Sequence, residues 1–213
     1  PEHPASVEKH YELVTTREAF DRWMATLAQA PAFAFDTETT SINPLASELV
    51  ALAFAWEPGK GFLVHFPESK EETAAILEIL RPVLENERIS KTGQNIKFDI
   101  QVLASYGIEV KGQLFDTMIA HYLLEPDMRH NMNILAETFL GYSPVHIESL
   151  IGEKGSGQKN MRAVPVDKLK EYAVEVADIT LQLRDIFKPR ISAEGLEKLS
   201  AEIEMPLIPV LAS

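Results

Sequence analysis

Two carboxylates stand two residues apart after an apolar run, in the sequence Phe35-Asp36-Thr37-Glu38-Thr39. The stretch Ala32–Phe35 predicts a buried strand, and alternate residues of a strand point to the same face. Asp36 and Glu38 would therefore project together, about 6–7 Å apart along the chain. The repulsion between two such carboxylates is normally offset by a bound cation or a basic partner. The alternative is a loop-capping Asp beside a solvated Glu.

A second polar group lies in the sequence Gly93-Gln94-Asn95-Ile96-Lys97-Phe98-Asp99. Asn95 is a residue type that caps helices, and Asp99 falls in the first-turn region, where the helix dipole favours an anion. The amides of Gln94 and Asn95 suit contacts with a phosphate, a sugar or a base. The alternative for Asp99 is a carboxylate that only complements the helix dipole.

A third group lies on a long predicted helix that runs from Val166 to Phe187. Tyr172 and Val176 are four residues apart and share one face of this helix. Asp178 is turned about 120° away from Tyr172. The alternative for Tyr172 is a side chain that packs in the core.

Strands and helices that would position these groups follow from hydrophobic periodicity. The predicted strands are 32–35, 49–56, 61–66, 88–92 and 113–115, with a hairpin between the second and the third. The predicted helices are 16–30, 70–86 with a bend or break at Pro82, 95–106 capped by Asn95, 117–124, 131–140, 166–187 and 193–213. A mobile loop is expected at Gly152–Asn160. Because strands come first and helices later, we expect one domain with a mixed α/β sheet flanked by helices.

Composition excludes several classes of protein. The 213 residues carry a net charge of −12 and 46% hydrophobic residues, which excludes extended disorder and looks unfavourable for nucleic acid. The absence of cysteine suits a reducing cytoplasm. No run approaches the roughly 18 apolar residues of a membrane helix, so no membrane partner is expected. The histidines and glycines show no spacing typical of a zinc site, a Ser-His-Asp triad or a nucleotide-binding loop.

The three groups, in this order, resemble the motifs of the DEDD exonuclease superfamily, tyrosine subclass. They are most similar to the 3′–5′ proofreading domain of bacterial DNA polymerase I. Phe115-Asp116-Thr117-Met118 and the closing Ile203-Glu204-Met205-Pro206-Leu207 share this resemblance, which covers nearly the whole chain. It implies an RNase H-like fold over residues 1–213, with an N-terminal extension and helix up to about residue 30. The last residues, from about 200, would begin the junction to an absent polymerase domain.

The resemblance implies hydrolysis of single-stranded DNA 3′ ends with two divalent ions, Mg²⁺ or Mn²⁺. Asp36 would bridge both ions, Glu38 would hold the first, and Asp99 would act at the second, partly through water. Such ions activate a water and stabilise the leaving 3′ oxygen. Tyr172 would orient the attacking water.

One position departs from the family's third motif, Tyr-x-x-x-Asp. Val176 stands where the aspartate should bind the ion that carries the nucleophile, so the first metal site is expected to be weakened. Natural degeneration and a recent or deliberate single change both explain Val176. Retention of Asp36, Glu38, Asp99 and Tyr172 favours the second explanation.

The resemblance also implies contacts with DNA. Ile42 would wedge between the last bases, although core packing is the alternative, and Gln94, Asn95 and Thr37 would lie at the terminal nucleotide. Arg129 would approach the phosphates, or be a surface residue without a role. A basic stretch would assist strand capture or be merely solvated; it contains Lys154, Lys159, Arg162, Lys168 and Lys170.

Two classes of function therefore remain open. The chain is expected to be a monomeric exonuclease of impaired activity, whose partners are a DNA 3′ end and the polymerase domain of its parent chain. Alternatively, it is an inactive module that binds 3′ ends or acts as a spacer. An RNA-processing exonuclease of the same superfamily is a weaker third option.

Overall fold

The computed structural model describes residues 8–199, which surround a mixed sheet of six strands. In chain order these are β1 (His10–Val14), β2 (Ala32–Thr39), β3 (Leu49–Glu57), β4 (Lys60–His65), β5 (Ser90–Gly93) and β6 (Leu114–Asp116). Their order in the sheet is β1-β4-β3-β2-β5-β6. β3 is antiparallel to β2 and to β4, and the other three pairings are parallel. The predicted mixed sheet and the β3–β4 hairpin are confirmed.

Helices connect the strands and complete the described part of the chain. They are α1 (Arg17–Gln29), α2 (Lys70–Leu84), α3 (Ile96–Ser105), α4 (Thr117–Leu124), α5 (Met132–Leu135), α6 (Glu148–Ile151), α7 (Val166–Ala193) and α8 (Glu197–Leu199). A π-helical turn, Ala136–Leu140, continues α5, and a 3-10 turn, Met161–Ala163, precedes α7. In the part of the chain described, no helix is long and apolar enough to cross a membrane.

Side-chain caps explain where the first helices begin. The hydroxyl of Thr16 accepts a hydrogen bond from the N–H of Ala19, as its residue type predicts. Ser69 accepts from Glu72 in the same way at the start of α2. Pro82 does not divide α2, because it lies in the last turn and the helix ends two residues later, at Leu84.

The two ends of the described chain differ from the prediction. β1 was not predicted: it is a five-residue edge strand, and its alternation of polar and apolar residues is too short to indicate the pairing with β4. α7 continues past Phe187 to Ala193, and the final helix begins at Glu197 instead of Ala193. The remainder of that predicted helix, with the motif Ile203–Leu207, lies outside the described residues.

Small residues bring α7 close to the sheet. Ala51, Ala53 and Ala55 of β3 are buried in the cluster that contains the apolar side chains of α7. A Cβ at Gly61 of β4 would lie 2.5 Å from Cγ1 of Val174 and 2.4 Å from the carbonyl oxygen of Phe54. This close packing holds α7 over the face of β2 that carries the two carboxylates.

Candidate active site

The carboxyl groups of Asp36 and Glu38 are hydrogen-bonded to each other at the end of β2. Burial and the charge of Glu38 raise the pKa of Asp36 well above its ordinary value. Burial also raises the pKa of Glu38 to about 7. Strand alternation therefore brings the two side chains together as expected, and a proton shared between them relieves their repulsion.

Asp99 of α3 is buried against β2. Its Oδ1 accepts hydrogen bonds from the backbone N–H of Thr37, at 3.1 Å, and from the hydroxyl of Thr37. The N–H of Thr37 is free on this side because β5 pairs with β2 only as far as Ala34. Burial raises the pKa of Asp99, as does the charge of Asp36. Asp99 is thus near the carboxylate pair but bonded to the strand, and the hydroxyl of Thr37 points to Asp99.

The side chain of Asp116 caps the N-termini of two helices, α3 and α4. Its carboxylate accepts the backbone N–H of Asn95 and of Ile96, each at 3.1 Å, and that of Met118 at 2.8 Å. The N-terminus of α3 is therefore capped from β6. Asn95 is the N-cap residue of α3, as predicted, but it has a positive φ of 57° and its side chain makes no cap bond. N-cap residues that bond through their side chains typically have an extended backbone instead.

Tyr172 and Val176 bring α7 into the same site. Burial raises the pKa of the Tyr172 hydroxyl, and the nearby charges of Glu38 and Asp36 raise it further. Both side chains line one cleft with the carboxylate pair. The predicted shared face of Tyr172 and Val176 is therefore directed at Asp36 and Glu38, where Val176 offers only methyl groups.

This cleft has a volume of about 520 Å³. Its lining consists of Asp36, Thr37, Glu38, Gln94, Asn131, Met132, Asn133, Pro144, Val145, Ile147, Glu148, Lys154, Tyr172 and Val176. Gln94 lines it, and its amide N–H donates to the carbonyl of His130 at 2.7 Å. Asn95, Asp99, Ile42 and Arg129 are not among the lining residues.

Ile42 and Arg129 are both exposed. Ile42 is 95% exposed on the loop after β2, so the alternative that it packs in the core is wrong. Arg129 lies on the segment between α4 and α5. Neither side chain lines the cleft.

The wall formed by residues 131–133 and 144–148 was not predicted. Its polar members are two amides, Asn131 and Asn133, and the carboxylate of Glu148. The two amides near the start of α5 could have indicated this wall in the sequence. However, the side chain of Asn131 caps α5, and this role alone explains an asparagine at that position.

The residues of the basic stretch lie in different environments. Lys154 lines the cleft, and the ammonium of Lys170 lies 3.4 Å from Glu171. The guanidinium of Arg162 donates to the carbonyls of Phe66, Leu49 and Pro67. Arg162 therefore joins the chain before α7 to the sheet, and it is not available for strand capture.

The raised pKa of Glu38 predicts a pH dependence of stability. The unfolded carboxyl titrates near 4.5 and the folded one near 7, so stability falls as the pH rises between these values. Without divalent cations, we expect Glu38→Gln to reduce this loss by about 1–3 kcal/mol, while the raised pKa values of Asp36 and Asp99 leave a remaining pH dependence. Urea unfolding at both ends of this range measures the loss. An equal pH dependence in both proteins would contradict the prediction.

Comparison with known proteins agrees with this geometry. The family model described as 3′–5′ exonuclease matches residues 11–192. DNA polymerase I of Pseudomonas aeruginosa is 36% identical over 221 residues, which cover 99% of this chain and 24% of that protein. The chain thus spans about a quarter of the length of such relatives.

Solved structures share the fold. Escherichia coli RNase D, an exoribonuclease, superposes with a TM-score of 0.74 at 19% identity, covering 95% of this chain and 50% of that one. Brucella melitensis NrnC with bound Mg²⁺ gives a TM-score of 0.72 at 19% identity, covering 97% and 92%. The RNase H-like α/β fold is therefore confirmed, and the chain belongs to the 3′–5′ exonuclease domain family of DNA polymerase I.

Proposed function

We propose that this domain binds the 3′ end of single-stranded DNA for proofreading and that Val176 impairs hydrolysis of the bound end. The observation that carries the proposal is the meeting of Asp36, Glu38 and Tyr172 in one cleft, in a chain of a 3′–5′ exonuclease family. The products would be nucleoside monophosphates, released one at a time.

The donor set fits a divalent cation. Asp36 and Glu38 present hard oxygens side by side, and a cation would replace the proton that they share. Asp99 would act at a second ion, partly through water, because its carboxylate is bonded to Thr37. Within residues 8–199, no three His, Asp or Glu side chains are already arranged around one point. Two bound Mg²⁺ or Mn²⁺ ions would supply activation of water and stabilisation of the leaving oxygen.

Tyr172 would orient the attacking water through its hydroxyl. Its raised pKa keeps this hydroxyl protonated, and therefore a donor, at neutral pH. Val176 lines the same cleft but has no atom that can bind an ion. The ion nearest the nucleophile would therefore be held weakly, which is why we propose a slow enzyme.

DNA contacts would surround the carboxylates. Lys154 and the amides of Gln94, Asn131 and Asn133 can bind phosphate, sugar or base at the cleft. The exposed Ile42 would pack against the last bases, and Arg129 would meet phosphates farther along the strand. With a net charge of −12, affinity would be local and modest, and the polymerase domain of the parent chain would add to it. The domain would act as a monomer.

A binding module without hydrolysis is the second candidate function, and Val176 is the observation that favours it. The sequence relatives are DNA polymerases, which disfavours the RNA-processing alternative. The two remaining candidates make different predictions for metal binding.

Calorimetric titration with Mn²⁺ separates the two candidates. We expect the native chain to bind one ion well and Val176→Asp to bind two. Two well-bound ions in the native chain would overturn the proposal that Val176 impairs hydrolysis. No bound ion would favour the binding module without hydrolysis.

Fluorescence anisotropy with a labelled oligothymidylate tests the 3′-end preference. A circular single strand has the same backbone but no end, and it should compete poorly. Equal competition by the circle would overturn the proposed 3′-end binding.

A further inference from the structure

Glu175 is a buried acid that touches the cleft wall and the N-terminal segment at the same time. It is 4% exposed, and its Oε1 accepts the backbone N–H of Val145 at 2.9 Å. Its Oε2 accepts the hydroxyl of Tyr142 at 2.7 Å and the ammonium of Lys9 at 2.6 Å. All three partners are distant in sequence, so these bonds hold separate segments together.

The segment that Glu175 holds has no regular secondary structure. Residues 141–147 connect the π-helical turn to α6, and Pro144, Val145 and Ile147 of this segment line the cleft. The segment lacks the ladder bonds of a strand or a helix; the N–H of Tyr142 donates to the carbonyl of Ala136, and side chains also hold the segment, with Glu175 binding two of its residues. Its place relative to the rest of the cleft therefore depends on Glu175.

Because Glu175 lies on α7, it connects the facing segment to the helix that carries Tyr172. It lies three residues after Tyr172 and immediately before Val176, on the helix that faces the carboxylate pair. One rigid helix thus carries the cleft-lining tyrosine and binds the facing segment. Lys9 neutralises the buried carboxylate, and its ammonium also lies 4.8 Å from the centre of the Tyr142 ring.

We propose that Glu175 is a positioning residue that sets the width of the cleft for the 3′-terminal nucleotide. It acts through Tyr142 and Val145 and does not touch the DNA. This inference rests on the proposed 3′-end binding.

Asp178 provides a matched control on the same helix. It is 2% exposed and accepts the hydroxyl of Tyr11 at 2.6 Å, the N–H of Gly59 at 3.1 Å and the amide of Gln182 at 2.9 Å. None of these partners is among the residues that line the cleft. Its loss should destabilise the fold as much as loss of Glu175 without moving the wall.

Anisotropy titration with the labelled oligothymidylate tests the inference. Glu175→Ala should bind the free 3′ end about tenfold more weakly, because small displacements of positioning groups are costly. Asp178→Ala should bind within about twofold of the native chain. Glu175→Gln keeps an acceptor for Val145 and should restore most of the affinity. Tyr142→Phe removes a single hydroxyl and should give an intermediate loss if Glu175→Ala fails to fold.

Kinetics in a Val176→Asp background separate positioning from stability. Glu175→Ala should raise KM about tenfold and leave kcat within about threefold. If folded Glu175→Ala and Asp178→Ala proteins have the same affinity and the same KM, the inference about Glu175 is overturned, while the proposed function still stands. A native chain that does not distinguish a 3′ end from a circle would instead overturn the proposed function.

Discussion

Val176→Asp is expected to raise the rate of 3′-end digestion by about a thousandfold in the presence of Mg²⁺ or Mn²⁺. Val176 lines the cleft beside Asp36, Glu38 and Tyr172, where a carboxylate could bind an ion that the valine methyl groups cannot. A correctly held ion contributes several kcal/mol of transition-state stabilisation, and about 4 kcal/mol corresponds to this factor. A labelled single strand, followed by gel electrophoresis, measures the rate.

Val176→Asn is the matched control for this experiment. Asparagine has nearly the shape of aspartate but no charge, so it should recover only a small part of the rate. If the unaltered chain already digests DNA as fast as Val176→Asp, the proposal that this position limits activity is wrong.

Asp116→Ala is expected to lower the free energy of unfolding by about 3 kcal/mol. The Asp116 side chain is 2% exposed and accepts the N–H groups of Asn95, Ile96 and Met118. Alanine would leave these buried donors without their acceptor, at about 1 kcal/mol each. Equilibrium urea unfolding measures the change.

Two further variants make this measurement specific. Thr16→Ala removes a single cap at α1 and should cost only about 1 kcal/mol. Asp116→Asn keeps one acceptor oxygen and should fall between the two. If Asp116→Ala lowers the free energy of unfolding no more than Thr16→Ala does, the second helix cap made by Asp116 does not stabilise the fold.

Hydrophobic periodicity predicted most of the sheet and its helices, because burial on one face leaves a repeating pattern in the sequence. β1 was not predicted, because its alternation of polar and apolar residues extends over only five residues. At Asn95, the predicted N-cap position is correct, but the acceptor at that helix start is the carboxylate of Asp116, 21 residues away in sequence. Local residue preferences do not include such a partner.

The carboxylate pair of the site was predictable from strand alternation alone, whereas the facing wall was not. Pro144, Val145 and Glu148 have ordinary loop and helix-end sequences, and only the folded chain brings them to Tyr172. Charge counting likewise placed Arg162 with the DNA-binding lysines. Its guanidinium instead satisfies backbone carbonyls, a role that no pattern of charges reveals.

Gly61 limits how this sequence can change during evolution. A side chain at this position would meet both Val174 of α7 and the carbonyl of Phe54 on the neighbouring strand. Shortening Val174 would remove only the first obstacle, because the backbone carbonyl at 2.4 Å cannot be substituted. A smaller residue at position 174 would therefore not make room for a side chain at position 61. Glycine at position 61 is therefore what allows β4 and α7 to lie this close, and any side chain there would have to move the two elements apart.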